Sequence, residues 1–191
     1  MTHTVEMLIR SDQELFLWLN SMHTPWLDTL MYWITFKYTW IPLYLFLVVI
    51  TMRYNRKEGF ATIAMVLIAV IIADKITSGF MKPYFIRFRP CHEPALQGMF
   101  HQVTDCGGLY GFASSHASTS FAVAFTWFAF LKTKVRYMGL IFLWAIVYSY
   151  SRVYVGVHYP GDILTGALIG ILVGWLCMQL YNTFSTKYYR N

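Results

Sequence analysis

Between residues 60 and 80 the chain carries only two charges, Asp74 and Lys75, and between residues 160 and 181 only one, Asp162. Apolar runs of this length match the hydrocarbon core of a bilayer, where each backbone N–H and C=O must find its partner within the protein. Only helices or a closed barrel satisfy that demand. Alternation with a period of two is absent and the runs are longer than a barrel strand, so the spans are read as helical. Composition excludes the other classes, because 57% apolar and 13% charged residues fit neither a soluble domain, a disordered chain nor a disulfide scaffold. A length of 191 residues leaves room for one helix bundle and no second domain.

The net charge of +6 would point to nucleic acid in a soluble protein, but its placement argues against that partner. Arg53, Arg56, Lys57, Lys132, Lys134, Arg136, Lys187 and Arg190 lie just outside apolar runs, as the bias of cytoplasmic segments toward basic residues requires. The reading is an all-α, polytopic membrane bundle of about five transmembrane helices. Its spans fall near 26–51, 60–80, 115–131, 138–150 and 160–181. Lys37 and Pro42 interrupt the first, which is either one kinked span or a surface helix followed by a span. Residues 1–25 lack the pattern of a cleaved signal peptide and are expected to be retained. Leu15, Phe16, Trp18 and Leu19, flanked by acids, suggest an interfacial N-terminal helix in the headgroup layer. In the last span Gly166, Gly170 and Gly174 form a stripe for close helix packing.

Lys82, Arg87, Arg89 and Arg152 break the charge bias, since they fall on the outer side with the long 81–113 loop. Three clusters meet there: the segment 82–90, the run Ala113-Ser114-Ser115-His116, and Ser151-Arg152 followed by His158 and Asp162. Arginine and lysine heads suit a phosphate dianion, and Ser114, Ser115 and His116 open an apolar helix whose free N–H groups, capped by serine, bind anions. Pro160 suits a first helical residue, which places Asp162 in the opening turn with His158 just before it. A carboxylate that fixes one imidazole tautomer activates it for nucleophilic attack, and a second histidine can protonate the leaving oxygen. The scheme requires no metal and no cofactor.

Lys-x6-Arg-Pro, Ser-x-His and Ser-Arg-x5-His-x3-Asp together resemble the three signature motifs of the type-2 phosphatidic acid phosphatase superfamily, which shares its site with vanadium haloperoxidases. The resemblance implies that His158 attacks phosphorus to form a phosphohistidine, Asp162 orients it, and His116 serves as acid and then base. It implies that Lys82, Arg89, Arg152 and Ser114 hold the phosphate oxygens. Ser115 stands where the family usually has glycine, and Ala113 where it has proline, so Ser115 must offer its N–H from an ordinary backbone conformation. Ser151 is expected to support Arg152.

The expected activity is that of a membrane lipid phosphatase acting on undecaprenyl pyrophosphate, phosphatidylglycerophosphate or a similar lipid, with lipid A 1- or 4'-phosphate as the alternative. A rival of another class is a non-catalytic lipid-phosphate binder or transporter, which would not need two histidines. The expected location is a bacterial inner membrane with the site on the periplasmic or outer face. Partners are the lipid substrate and the bilayer, and oligomeric state is left open. So are a disulfide between Cys91 and Cys106, and whether Arg87 faces solvent or substrate. Asp74 and Lys75 are read as interfacial or supporting, and His3, His23, His92 and His101 as interfacial.

Overall fold

The computed structural model describes residues 3–189, with side chains to residue 185, so Arg190 and the side chain of Lys187 lie outside the described residues. Helix α1 (His3–Asn20) precedes α2 (Pro25–Thr35), a 3-10 turn (Lys37–Trp40) and α3 (Ile41–Tyr54). A bend of 67° separates α2 from the segment Lys37–Tyr54, where Pro42 lies in the first turn of α3 and its missing N–H costs no hydrogen bond. The first apolar segment is therefore two helices joined at a sharp bend.

Asn55 caps α4 (Arg56–Asp74) by accepting the N–H groups of Lys57 at 3.0 Å and Glu58 at 3.4 Å. The helix continues through a π turn (Lys75–Met81) into α5 (Lys82–Phe85). The outer loop thus begins after Phe85, not at residue 81. Pro83 permits this because it sits in the first turn of α5, where a proline is tolerated. Three further helices follow: α6 (Ser115–Leu131), α7 (Leu140–Tyr154) and α8 (Pro160–Tyr189). Arg56–Phe85 and Pro160–Ser185 are each long and apolar enough to cross a membrane, and the bent α2–α3 pair is so only when its two parts are taken together as one span. The shorter α6 and α7 pack with them. The result is an all-α membrane bundle.

The glycine stripe of α8 lies against α6. A Cβ on Gly170 would stand 2.9 Å from Ala122 N and collide with the Ser118 carbonyl, and one on Gly174 would stand 3.0 Å from Phe125 Cβ. At one end of the bundle Tyr54 donates to the Lys134 carbonyl at 2.7 Å, and Lys134 faces Glu58 at 3.7 Å. This joins the two basic turns. The phosphate-binding candidates gather at the other end.

Helix α1 lies across that second end. Phe16 is fully buried against Phe100 and Tyr159, with ring centroids 5.4 and 5.6 Å away, while Leu8, Leu15 and Trp18 remain exposed. Asn20 donates to the carbonyls of His101 at 2.9 Å and Tyr154 at 2.8 Å, and accepts the His101 N–H at 2.7 Å. One face of α1 is thus bonded into the bundle, and the exposed remainder mixes apolar residues with Glu6, Arg10 and Glu14. Substituting Gly170→Leu should lower stability by about 1–3 kcal/mol through forced separation of α6 and α8, read as a reduced melting temperature in detergent; an unchanged value would show that the two backbones need not touch.

Candidate active site

The loop after α5 is held at several points. Ile86 has φ 49°, a left-handed conformation unusual for a β-branched residue, and its N–H returns to the Lys82 carbonyl at 3.1 Å. The chain then runs beside residues 109–111: Arg89 N donates to Leu109 O at 3.1 Å, Gly111 N donates to Arg87 O at 2.9 Å, and Phe88 and Tyr110 stack at 5.9 Å. Cys91 and Cys106 close a disulfide, with Cα atoms 6.0 Å apart. These ties aim Arg87 and Arg89 toward the start of α8. Gly111 must lack a side chain there, since a Cβ would lie 2.9 Å from Asp162 Oδ2.

His158 and Asp162 are both fully buried, with Nδ1 and Oδ2 3.1 Å apart. Arg89 Nη1 lies 3.4 Å from His158 Nε2. A guanidinium only donates, so Nε2 is the accepting nitrogen and Nδ1 carries the proton toward Asp162. Nε2 therefore carries the lone pair, and it faces Arg89 and a cation-lined space. Burial, reinforced by Arg89, Arg152, Lys82 and Arg87, holds the His158 pKa well below the usual 6.5. At neutral pH the imidazole is uncharged.

Among the described residues, Lys82, Arg89 and Arg152 form no ion pair with a carboxylate. Arg89 is only 8% exposed, and the Nε atoms of Arg89 and Arg152 are buried without a hydrogen-bond partner among the described residues. Uncompensated buried cations are costly, so this arrangement is built for an anion. His116 looks onto the same group of charges from the first turn of α6. The structure thus brings together all eight residues singled out in the sequence: Lys82, Arg89, Ser114, Ser115, His116, Arg152, His158 and Asp162.

Two of them act differently from expectation. Ser114 occupies the N-cap position of α6, but its side chain makes no capping bond. Its buried Oγ has no partner among the described residues, while its N–H is engaged by the Asp162 carbonyl at 3.0 Å. The hydroxyl is left for a ligand. Ser115 Oγ instead accepts from Lys82 Nζ at 3.0 Å and meets Ser78 Oγ at 2.6 Å, and Ser78 in turn donates to Asp74 Oδ1 at 3.0 Å. The residue that replaces glycine therefore tethers the lysine. Ser151 is fully buried and donates to the Tyr148 carbonyl at 2.7 Å, a bond within its own helix.

Three further residues shape the site. Thr35 Oγ1 accepts from Arg152 Nη1 at 2.7 Å, so the end of α2 steadies that arginine. Arg87 Nη1 donates to Asp162 Oδ1 at 3.0 Å, and Arg87 Nη2 donates to Asp12 Oδ2 at 2.8 Å. Arg87 faces a carboxylate on each side, neither solvent nor substrate. The N-terminal segment held no signal for Asp12 beyond its charge.

Two cavities meet at His116. A cleft of about 620 Å³ has a mixed lining, with Tyr32, Phe36 and Val103 beside Thr35, Lys37, Gln102, Thr104, Asp105 and Arg152. An apolar groove of about 510 Å³ runs along Tyr44, Val48, Val66, Val70, Val123 and Trp127. The anion site therefore adjoins both a wet opening and an oily one.

A neutral imidazole oriented by a carboxylate, aimed into unpaired cations and opposed by a second imidazole, is equipped for phosphoryl transfer on a group presented from a bilayer. The bundle is that of a membrane-embedded phosphatase. Comparison with known proteins gives the family: residues 63–185 match the PAP2 superfamily, and the chain belongs to it. A lipid A 4'-phosphatase of Porphyromonas gingivalis is 34% identical over 184 residues, covering 93% of this chain and 75% of the relative. An undecaprenyl-diphosphatase of Sulfolobus acidocaldarius is 30% identical over 155 residues, covering 79% and 68%. The crystal structure of a transmembrane PAP2-type phosphatidylglycerolphosphate phosphatase from Bacillus subtilis has the same fold, with a TM-score of 0.70 and 20% identity over 99% of this chain and 90% of that one. The chain is a membrane lipid phosphatase.

If His158 is the attacking group its imidazole must be deprotonated, so kcat/KM should fall on the acid side of 6.5, the ordinary imidazole value, as it takes up a proton. Initial rates of phosphate release between about pH 4 and 8 check this. An acid limb at or above the ordinary value would contradict it.

Proposed function

We propose that the enzyme releases orthophosphate from a lipid phosphate or pyrophosphate at the outer face of a bacterial inner membrane through a covalent intermediate on His158. The observation that carries this reading is the setting of His158, whose Nδ1 is held by Asp162 while Nε2 meets Arg89 at 3.4 Å among three cations without carboxylate partners among the described residues. His158 Nε2 forms a bond to phosphorus as the bond from phosphorus to the lipid oxygen breaks, and His116 gives that oxygen a proton. His116 then takes a proton from water, whose oxygen attacks phosphorus and expels the imidazole. Lys82, Arg89, Arg152 and the Ser114 hydroxyl neutralise the charge on the phosphoryl oxygens, and Ser115 contributes by holding Lys82. Asp162 stabilises the imidazolium character that develops on His158.

Chemistry without a metal is supported by the carboxylate itself. Asp162 Oδ1 accepts from Arg87, and Oδ2 from His158 and the Tyr159 N–H at 3.1 Å, so both oxygens of this side chain are engaged by the protein's own donors. The orientation is supported by the basic turns at the opposite end of the bundle.

The two cavities favour a leaving group with a polar branch and an apolar one. A polyprenyl pyrophosphate needs the groove and further cations; the cleft instead offers Gln102, Thr35, Thr104 and Asp105, which suit hydroxyl groups, with Lys37 as its only added cation among the described residues. This, with the similarity to a lipid A 4'-phosphatase, supports a lipid A phosphate as the second reading of the substrate.

The purified enzyme, offered lipid A, undecaprenyl pyrophosphate and phosphatidylglycerophosphate in turn, should release phosphate from at least one of them. His158→Ala should reduce that rate by roughly a thousandfold or more. EDTA should leave it unchanged. Full activity in His158→Ala would remove the mechanism, and loss in EDTA that Mg²⁺ restores would remove its metal-free character.

A further inference from the structure

The outer surface of the catalytic carboxylate is covered by groups the reaction scheme does not use. Arg87 Nη1 holds Asp162 Oδ1 at 3.0 Å, leaving Oδ2 for His158, and Arg87 Nη2 holds Asp12 Oδ2 of α1 at 2.8 Å. Asp12 Oδ1 accepts the Gly161 N–H at 2.8 Å, so the same carboxylate ties both the arginine and the opening turn of α8 that carries Asp162. Gly161 must be bare for this, since a Cβ would lie 2.7 Å from Asp12 Oδ2. The Arg87 guanidinium also lies over the Tyr159 ring, 4.2 Å from its centroid. Both partners are largely shielded, with Arg87 21% and Asp12 15% exposed, so screening by water is reduced. Nothing in this chain of contacts is needed merely to seat α1, which Phe16 and Asn20 already fix.

We infer that Asp12 and Arg87 are positioning residues for the nucleophile, a clamp through which the N-terminal surface helix sets the orientation and basicity of the Asp162–His158 pair. The inference rests on the reading of His158 as the attacking group. Arg87 fixes which oxygen of Asp162 faces the imidazole and supplies a positive charge beside it. Asp12 balances part of that charge and prevents Arg87 from swinging into the phosphate site, where it would compete for the anion.

The two substitutions should therefore act in opposite directions on proton uptake. Arg87→Gln removes a positive charge beside the pair, favours its protonated form and moves the acid limb of kcat/KM to higher pH. Asp12→Asn leaves the arginine less balanced, disfavours protonation and moves the limb to lower pH. The other charged or titratable groups facing the pair are Lys82 from α5, Arg89 from the loop, His116 from α6 and Arg152 from α7, with Tyr159 and Glu93 beyond, and all are unchanged in both variants.

The test uses the full chain in detergent with dioctanoyl phosphatidic acid as probe. The wild type, His158→Ala, Asp12→Asn, Arg87→Gln, Arg87→Lys and the Asp12→Asn/Arg87→Gln double variant are each checked for fold by circular dichroism and gel filtration. Expected are limb shifts of opposite sign, each about half a unit or more, and kcat about tenfold or more lower in Arg87→Gln. Arg87→Lys should keep the wild-type limb because it keeps the charge, while kcat falls. In the double variant the Asp12 effect should vanish. Shifts of the same sign, no shift, or an Asp12 effect that survives without Arg87 would overturn the clamp while His158→Ala stays inactive. If Arg87→Gln does not fold, a downward shift in Asp12→Asn with an unmoved limb in Arg87→Lys supports the inference, and any other pattern overturns it. Wild-type turnover in His158→Ala overturns the clamp together with the mechanism it rests on.

Discussion

Backbone contact between α6 and α8 sets the position of nearly everything else in the site. Three glycines on α8 let the two helices approach until side chains on that face have no room, and at their outer ends the Ser114 N–H reaches the Asp162 carbonyl at 3.0 Å. His116 rises from one helix, while His158 and Asp162 stand at the head of the other. The two histidines to which the proposed mechanism gives the roles of acid and nucleophile are thus carried by two rods that cannot slide independently. In a bilayer there is little hydrophobic drive between helices, so shape and backbone proximity must provide this rigidity.

The second requirement is electrostatic. Three cations in a dry setting repel one another, and the chain could have relieved them with carboxylates. Among the described residues it spends its nearby carboxylates otherwise: Asp162 on His158 and Arg87, Asp12 on Arg87 and Gly161, Asp74 on Ser78. The cations are steadied by neutral groups, Lys82 by Ser115 and Arg152 by Thr35, which orient them without cancelling their charge. A dianion entering this space meets donors already in place.

Much of this was legible in the sequence because it is local. The separation of His158 and Asp162 by four residues, with Pro160 between them, is enough to put a carboxylate on one nitrogen of the ring. The span 115–131 was legible as well, from its polar start and apolar body, and coincides with α6. What escaped is long-range. Arg87 and Asp12 are 75 residues apart, and an acid on an amphipathic surface helix gives no sign of which face it will present. The role of Ser115 depended on a π turn that carries Ser78 and Lys82 toward α6, and a proline at residue 83 reads as a helix end when it is the start of one more turn. The bend between α2 and α3 was one of two readings the residues allowed, and it decides where Thr35 stands.

The apolar groove beside His116 runs between α3 and α4, with exposed Leu67 and Lys37 at its margin. On the proposed reading, in which acyl chains lie in this groove, it would open sideways, into the plane of the membrane. Substrate then arrives by two-dimensional diffusion with its tails never leaving the lipid phase, and the concentration that governs turnover is a mole fraction in the leaflet. Diluting the target lipid with inert neighbours would slow such an enzyme even while the total amount in the vessel stayed the same.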